Sequence, residues 1–362
     1  MRYAAGLARG SACGCVPLIG APSDRSGGAT ITLALDELWV EMTAQPALGV
    51  ELIAPQSPNG VSGPQGEAQG PPGAMKAAAR QILAGREDLA GAGFRLELAG
   101  SEIPPDVGLG ESTAMALAAL EALDRLFGIG LAREQMPPLV LACLTDQPGV
   151  PTTLRDPVAQ AEGGLTFMDF DADGSGGGRY EPLDPALLPP LSVAWPESEA
   201  AGAAGVTGGA GDAGDASVAG AAGVAGALAD ETPADATPPP PSVEKRPGMG
   251  RLSTFGADAT AQPELPPEAL AELGGLAQRA LSPLLIGDGA GFGVLLERDR
   301  ELRERAEPPN PLAQTVAELG VAVNSTGPHG AIVGLFRDEP QLDQIREALT
   351  AQGADLHIVR PP

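Results

Sequence analysis

Apolar and polar positions alternate in short runs along the first part of the chain. "ATITLAL" (29–35) and "LWVEMTA" (38–44) read as strands, and their closeness predicts a hairpin. "FRLELAG" (94–100) shows the period of two of a half-buried strand, while "MKAAARQILAG" (75–85) has a helical composition. The strongest helical stretch is "STAMALAALEALDRLF" (112–127), with Gly128 as its stop. "GLTFMDF" (164–170) and "LSVAW" (191–195) read as strands. Farther on, helices are predicted over 266–281, 295–306, "LAQTVAELG" and "EPQLDQIREALTAQG", with strands at "AIVGLF" and "DLHIV". "GDGAGFG" (287–293) has no strand before it and reads as a flexible turn between helices. Helices and strands alternating around a mostly antiparallel sheet predict an α+β fold.

Two stretches break the pattern. Residues 55–73 are rich in Pro, Gly and Gln and read as a long surface loop. From Pro196 to Gly248 the chain is Ala/Gly/Asp/Pro low complexity, with almost no large apolar side chain to offset the entropy of ordering. It reads as a disordered insertion, extended as polyproline II at prolines 238–241.

Composition narrows the partners. The 362 residues suggest two domains, and 43% apolar residues suffice for a core built from Ala, Leu, Val and Ile, because aromatics are only 3%. With 22 basic and 47 acidic residues the net charge is −25, a field that repels nucleic acid and anionic membranes. Lys76 and Lys245 are the only lysines, so phosphate contacts must come mainly from Arg, backbone N–H groups or a metal. Cys13, Cys15 and Cys143 have no spaced CxxC partner, which argues against a disulfide framework or zinc site and for a reducing, cytoplasmic setting. Arg9 and the neighbouring glycines interrupt any signal-peptide core, and no segment approaches the roughly 20 apolar residues of a membrane span.

The candidate chemistry centres on "IPPDVGLGESTAMALAAL". Gly108 and Gly110 let the backbone approach a ligand, and a helix begins at once, so free N–H groups and the positive end of its dipole converge there. Ser112 and Thr113 supply hydroxyls that cap the helix or ligate Mg²⁺. By itself the stretch is equally an ordinary helix start.

Three further stretches fall in one family's order: "PLIGAPSDRSGGATIT" (17–32), "LRDPVAQAEGGLTFMDF" (154–170) and "NSTGPHGAIVGLF" (324–336). Together they resemble the GHMP-type small-molecule kinases, most closely the glucuronokinase branch. The resemblance implies a two-domain GHMP kinase fold: an N-terminal nucleotide-binding α/β domain at 1–185 and a C-terminal ferredoxin-like α+β domain at 186–362, which the insertion interrupts. It implies ATP and Mg²⁺ as cofactors, with Gly108, Leu109, Gly110, Glu111, Ser112, Thr113, Gly327 and Gly330 around the phosphates. Thr113 matches the Mg²⁺ hydroxyl, and Asp146 is the candidate second ligand. Asp156 matches the base that takes the proton of the substrate hydroxyl. Ser23 and Asp24 match substrate-side positions, and Arg155, like Arg25 and Arg251, is a candidate partner for an anionic sugar acid. From the residues alone, Asp156 is equally a loop acid before Pro157, Asp24 a turn former, His329 a solvated side chain, and Cys13 and Cys15 small strand residues.

The chain departs from the family where the chemistry lies. Cys15 replaces a basic residue, Ala21 replaces Asn or Glu, and Thr145 stands where a metal-binding Glu is expected. Pro328–His329 replaces Ser–Gly, and Pro328 has no N–H to offer. Glu111 puts a carboxylate into the phosphate loop; at ~4 Å from a phosphate it is opposed by on the order of 4 kcal/mol per unit charge. Three readings stay open: an ATP-dependent kinase of a sugar or sugar acid, a catalytically impaired binding or regulatory relative, and a soluble α+β protein whose motif resemblance is only ancestral.

Overall fold

The computed structural model describes residues 3–54, 71–84, 86–145, 153–171, 178–197 and 265–359. Within them the chain forms two sheets, each covered by helices.

The first sheet contains β1 (Ala8–Ile19), β2 (Ala29–Pro46), β3 (Val50–Ile53), β4 (Phe94–Ser101), β5 (Leu165–Asp169) and β6 (Arg179–Leu183). β2 is its spine: β1 runs along one edge, and β4 and β5 share the other. Every pairing here is antiparallel except β3 with β4. The hairpin expected at 29–44 is instead this single strand. Its register against β1 passes from Gly14↔Leu35 to Cys13↔Trp39, so residues 36–38 bulge out of a ladder that continues on both sides. Asp36–Glu37 lacks the Gly or Asn that a tight hairpin turn demands.

Four helices accompany this sheet: α1 (Pro71–Leu83), α2 (Glu111–Phe127), α3 (Met136–Thr145) and α4 (Arg155–Glu162). α2 is apolar nearly all round and lies in the core, as its composition predicts. Gly10 of β1 is what lets it come so close, since a Cβ there would stand 2.0 Å from Ala118 O and 2.5 Å from Ala122 N. Gly128 ends α2 in the left-handed conformation at φ 64°. α1 begins before residue 75, at Pro71, within the stretch read as loop; residues 55–70 lie outside the described ones. α3 and α4 were not apparent from the sequence. Each carries Pro in its first turn, where a missing N–H is harmless. Asp156 is therefore a first-turn helix residue rather than a loop acid.

The second sheet has the order β10–β7–β9–β8, all antiparallel, from β7 (Leu191–Pro196), β8 (Ala322–Ser325), β9 (Ile332–Leu335) and β10 (Ala354–Val359). Its helices are α5 (Pro267–Leu285), α6 (Gly289–Arg303), α7 (Pro311–Glu318) and α8 (Glu339–Thr350). Leu312, Val316, Leu342, Ile345 and Leu349 from α7 and α8 close a separate core over this sheet. The stretch 287–293 is not a flexible turn. Asp288 caps α6 by accepting from Gly291 N, so Gly289–Gly293 are helical. The low-complexity stretch lies outside the described residues from position 198 to 264. Among the described residues, no helix is long and apolar enough to cross a membrane.

Candidate active site

Segments from both sheets meet at the N-terminal end of α2. Gly110, its N-cap, is left-handed at φ 74° and has no side chain to cap the first-turn N–H groups. A Cβ on Gly110 would stand 2.6 Å from Gln160 Nε2 and 3.0 Å from Cys15 Sγ, so the position admits glycine alone. The loop is pinned through its backbone. Cys15 N donates to Leu109 O (2.9 Å), and Gln160 Nε2 donates to Gly110 O (2.9 Å).

The C-terminal glycine loop docks on the same segment. Thr326 Oγ1 and Ala331 N each donate to Val107 O at 2.8 Å. Asn310, which caps α7, also donates through Nδ2 to Gly327 O (2.8 Å) and Gly330 O (3.0 Å). Val107 and Gly108 therefore lie beside Thr326 and Gly330, although more than 200 residues separate the two loops, and Leu109, Gly110, Glu111, Ser112 and Thr113 lead from there into α2, with Gly327 held by Asn310. Pro328 and His329 form the loop's tip, and His329 is exposed.

An acidic cluster adjoins them. Arg155 Nε donates to Asp156 Oδ1 at 2.8 Å, and its Nη1 stands 3.6 Å from Asp24 Oδ1. The side chains of Arg155, Asp156 and Asp24 are 15%, 22% and 1% exposed, so Asp156 keeps the most contact with solvent. Burial alone would lower the Arg155 pKa, but the carboxylates of Asp156 and Asp24 outweigh it and hold the guanidinium firmly charged. Among the described residues neither Asp24 oxygen has a hydrogen-bond partner, which leaves an acceptor pair nearly removed from water beside the guanidinium. Cys15 lies against the same group. Burial, and then Asp156, push its thiol well above the ordinary range, so it stays neutral.

Glu111 is the first residue of α2 and half-buried. Burial, reinforced by Asp106, raises its pKa from 4.5 to about 7, and the Asp106 N–H offsets part of the shift. A helix N-terminus favours the ionised form by roughly 0.3–1 kcal/mol. Removal from water dominates here, so near neutrality the carboxyl is about half protonated.

Ser23 is fully buried, and its hydroxyl donates to Ala29 O (3.0 Å), closing the turn that carries Asp24. Thr113 is buried in the first turn of α2. Asp146 and Arg251 lie outside the described residues. Thr145 is exposed and turns its hydroxyl back onto Leu141 O, and Arg25 is exposed. Among the described residues, no group of three or more His, Cys, Asp or Glu side chains could hold a metal ion.

Gln160, Thr326 and Asn310 were missed. Gln160 follows Asp156 by four residues, so a helical reading of 155–162 would have put both on one face. Thr326 and Asn310 carry no such local signal.

Residues 74–164 match the GHMP kinases N terminal domain. The chain has the fold of solved GHMP kinases. These include Streptococcus pneumoniae phosphomevalonate kinase in complex with phosphomevalonate and AMPPNP (TM-score 0.66, 11% identity, 97% of this chain and 99% of that one). Lactococcus lactis galactokinase complexed with galactose is also similar (TM-score 0.64, 15% identity, 98% and 93%). So is L. major mevalonate kinase in complex with R-mevalonate (TM-score 0.63, 16% identity, 99% and 97%). The chain thus matches the GHMP kinase N-terminal domain over 74–164 and has the α+β fold of these solved structures. Among curated relatives, Glucuronokinase 1 of Arabidopsis thaliana is 36% identical over 102 residues, a match covering 27% of this chain and 28% of that protein.

Proposed function

We propose that the protein transfers the γ-phosphoryl group of ATP to a hydroxyl of a sugar or sugar acid. One observation carries this reading: the Asp24–Arg155–Asp156 cluster adjoins the glycine loop at α2, joined to it by Cys15.

The residues suit a bound nucleotide. α2 presents first-turn N–H groups without a side-chain cap, as an anionic phosphate requires. Gly108 to Thr113 would cradle the phosphates, with the Gly327–Gly330 loop closing over them. ATP supplies the phosphoryl group. Mg²⁺ would accompany the phosphates, with Thr113 as its hydroxyl ligand and Asp146 as the second. The described residues do not complete a metal site, and no step here depends on one.

Asp156 would act as base. One of its oxygens is held by Arg155, and the other accepts the proton as the substrate oxygen bonds to phosphorus and ADP departs. Asp24, buried and lacking a hydrogen-bond partner, would accept from a second substrate hydroxyl. Arg155 would hold both carboxylates in place and meet the charge of a uronic acid. The division at residues 185/186, with nucleotide mainly on the first part, and a reducing cytoplasm belong to the same proposal; the odd number of cysteines without a spaced CxxC pair supports the latter.

A second reading is a binding or regulatory protein without turnover. The carboxyl of Glu111 in the phosphate loop and the neutral Cys15 favour it. Thermal shift with Mg·ATP separates the possibilities at the first step, because a ligand that binds only the folded state raises Tm. No shift at millimolar nucleotide rejects the kinase reading and favours the second. A shift, followed by ADP release with sugars and uronic acids, supports the kinase; a shift without turnover supports the binding protein.

A further inference from the structure

The ladder between β1 and β2 skips Leu18, and a second set of contacts takes over at that point. Leu18 O accepts from Asn324 Nδ2 at 2.9 Å, and Gly20 N donates to Asp299 Oδ2 at 2.6 Å. Asp299 Oδ1 accepts from Asn324 Nδ2 (2.8 Å) and from Arg303 Nε (3.1 Å). Arg303 also donates to Asn324 Oδ1, which accepts from Ser325 N as well. Asp299, Arg303 and Asn324 are 1%, 7% and 2% exposed. The first two lie one turn apart on α6, and the third is on β8.

Burying such a pair carries a large desolvation penalty, which apolar side chains of similar volume avoid. A directional network does what apolar contacts cannot: it fixes two particular backbone groups, Leu18 O and Gly20 N, in space. Gly20 begins the turn that reaches Asp24, and it is tightly seated. At φ 99°, a Cβ there would stand 2.3 Å from Ala29 O and 2.9 Å from Ala277 Cβ of α5. On the other side, Asn324 lies two residues before Thr326, whose hydroxyl holds Val107 O at the start of the phosphate loop.

We infer that Asp299, Arg303 and Asn324 are positioning residues, which set the Gly20–Asp24 turn against the Val107–Thr113 loop and so fix the separation of phosphoryl donor and acceptor hydroxyl. The catalytic consequence rests on the kinase reading, whereas the mechanical link does not.

Asn324→Ala and Arg303→Lys in the full chain test it by hydrogen exchange and, separately, by kinetics. In Asn324→Ala, exchange over 18–28 should quicken about tenfold or more, while α1 (Pro71–Leu83) stays within about twofold of the parent. Arg303→Lys keeps the charge beside Asp299 and should show the same local pattern more weakly; it carries the test if Asn324→Ala does not fold. With a phosphoryl-accepting sugar in hand, kcat should fall up to about 10²-fold and KM for the sugar rise about tenfold, with KM for ATP nearly unchanged. Uniform acceleration throughout the chain would make the network merely stabilising, and unaltered exchange over 18–28 would leave it without this role; either overturns the proposal. If the parent protein transfers no phosphoryl group, the kinase reading fails, and the exchange pattern still decides the link.

Discussion

The glycine loop and the acidic turn sit side by side but are built by opposite means. Val107–Thr113 is held through its own backbone: Val107 O, Leu109 O and Gly110 O each accept a hydrogen bond, and its φ angles demand glycine. The turn at Gly20–Asp24 depends on side chains, with Asp299 and Asn324 beneath it and Arg155 across it. A backbone-held loop accommodates an odd side chain such as Glu111, because its shape never depended on one. A turn held by buried charges loses position when any partner is removed, since each leaves another polar group unsatisfied.

The largest effect is expected in the acidic cluster. Asp156→Asn should lower kcat about 10³-fold while leaving nucleotide-induced Tm shifts intact, because the amide keeps the shape and loses the basicity. Steady-state kinetics beside a thermal shift checks this, and loss of nucleotide binding would show that Asp156 shapes the loop as well.

On the loop side, Gly110→Ala should destabilise the fold by about 2–3 kcal/mol, combining left-handed backbone strain with collision against Gln160 and Cys15. Gly320→Ala shares the positive φ, at 69°, but meets nothing within 4 Å, and should cost only about 1 kcal/mol. Urea melts of both variants measure the gap, and equal losses would mean that strain, not the close approach, dictates Gly110.

The smallest effect is Glu111→Gln, and it carries a sign in pH. The folded carboxyl titrates near 7, the unfolded one near 4.5, so between these values the folded state holds the extra proton. Stability attributable to this group therefore falls as pH rises from 4.5 to about 7, and stays lower above it. The glutamine variant should match the parent at pH 4.5 and exceed it by about 1 kcal/mol at pH 8, after discounting for solvent screening. Mg·ATP should bind the parent more tightly as pH drops from about 8 to about 6, whereas the variant's affinity should lose that dependence, as calorimetry can read. Parallel pH profiles would turn Glu111 away from the phosphates.

Much of this architecture was legible in local patterns. α2 with its Gly128 stop, β4, β7 and the last helix and strand follow from periodicity and terminators, which act over a few residues. The bulge in β2 and the helical course of α4 did not follow, because both depend on what lies alongside: β1 continuing past residues 36–38, and α4 packing beside Cys15 and Gly110. The glycine loop was marked by its own residues at a helix start and Asp156 by the resemblance, and helical spacing could have added Gln160.

The sequence by itself therefore determined the α+β class and the main helices and strands, and marked the glycine loop as a candidate, since these depend on side-chain type and short-range spacing. Tertiary structure alone decided that Asp24 faces Arg155, that Thr326 closes on Val107, and that Asp299 and Asn324 reach the end of β1. Such pairings follow from chain topology, which brings together residues hundreds of positions apart, and buried polar groups then select their partners by geometry rather than by sequence distance.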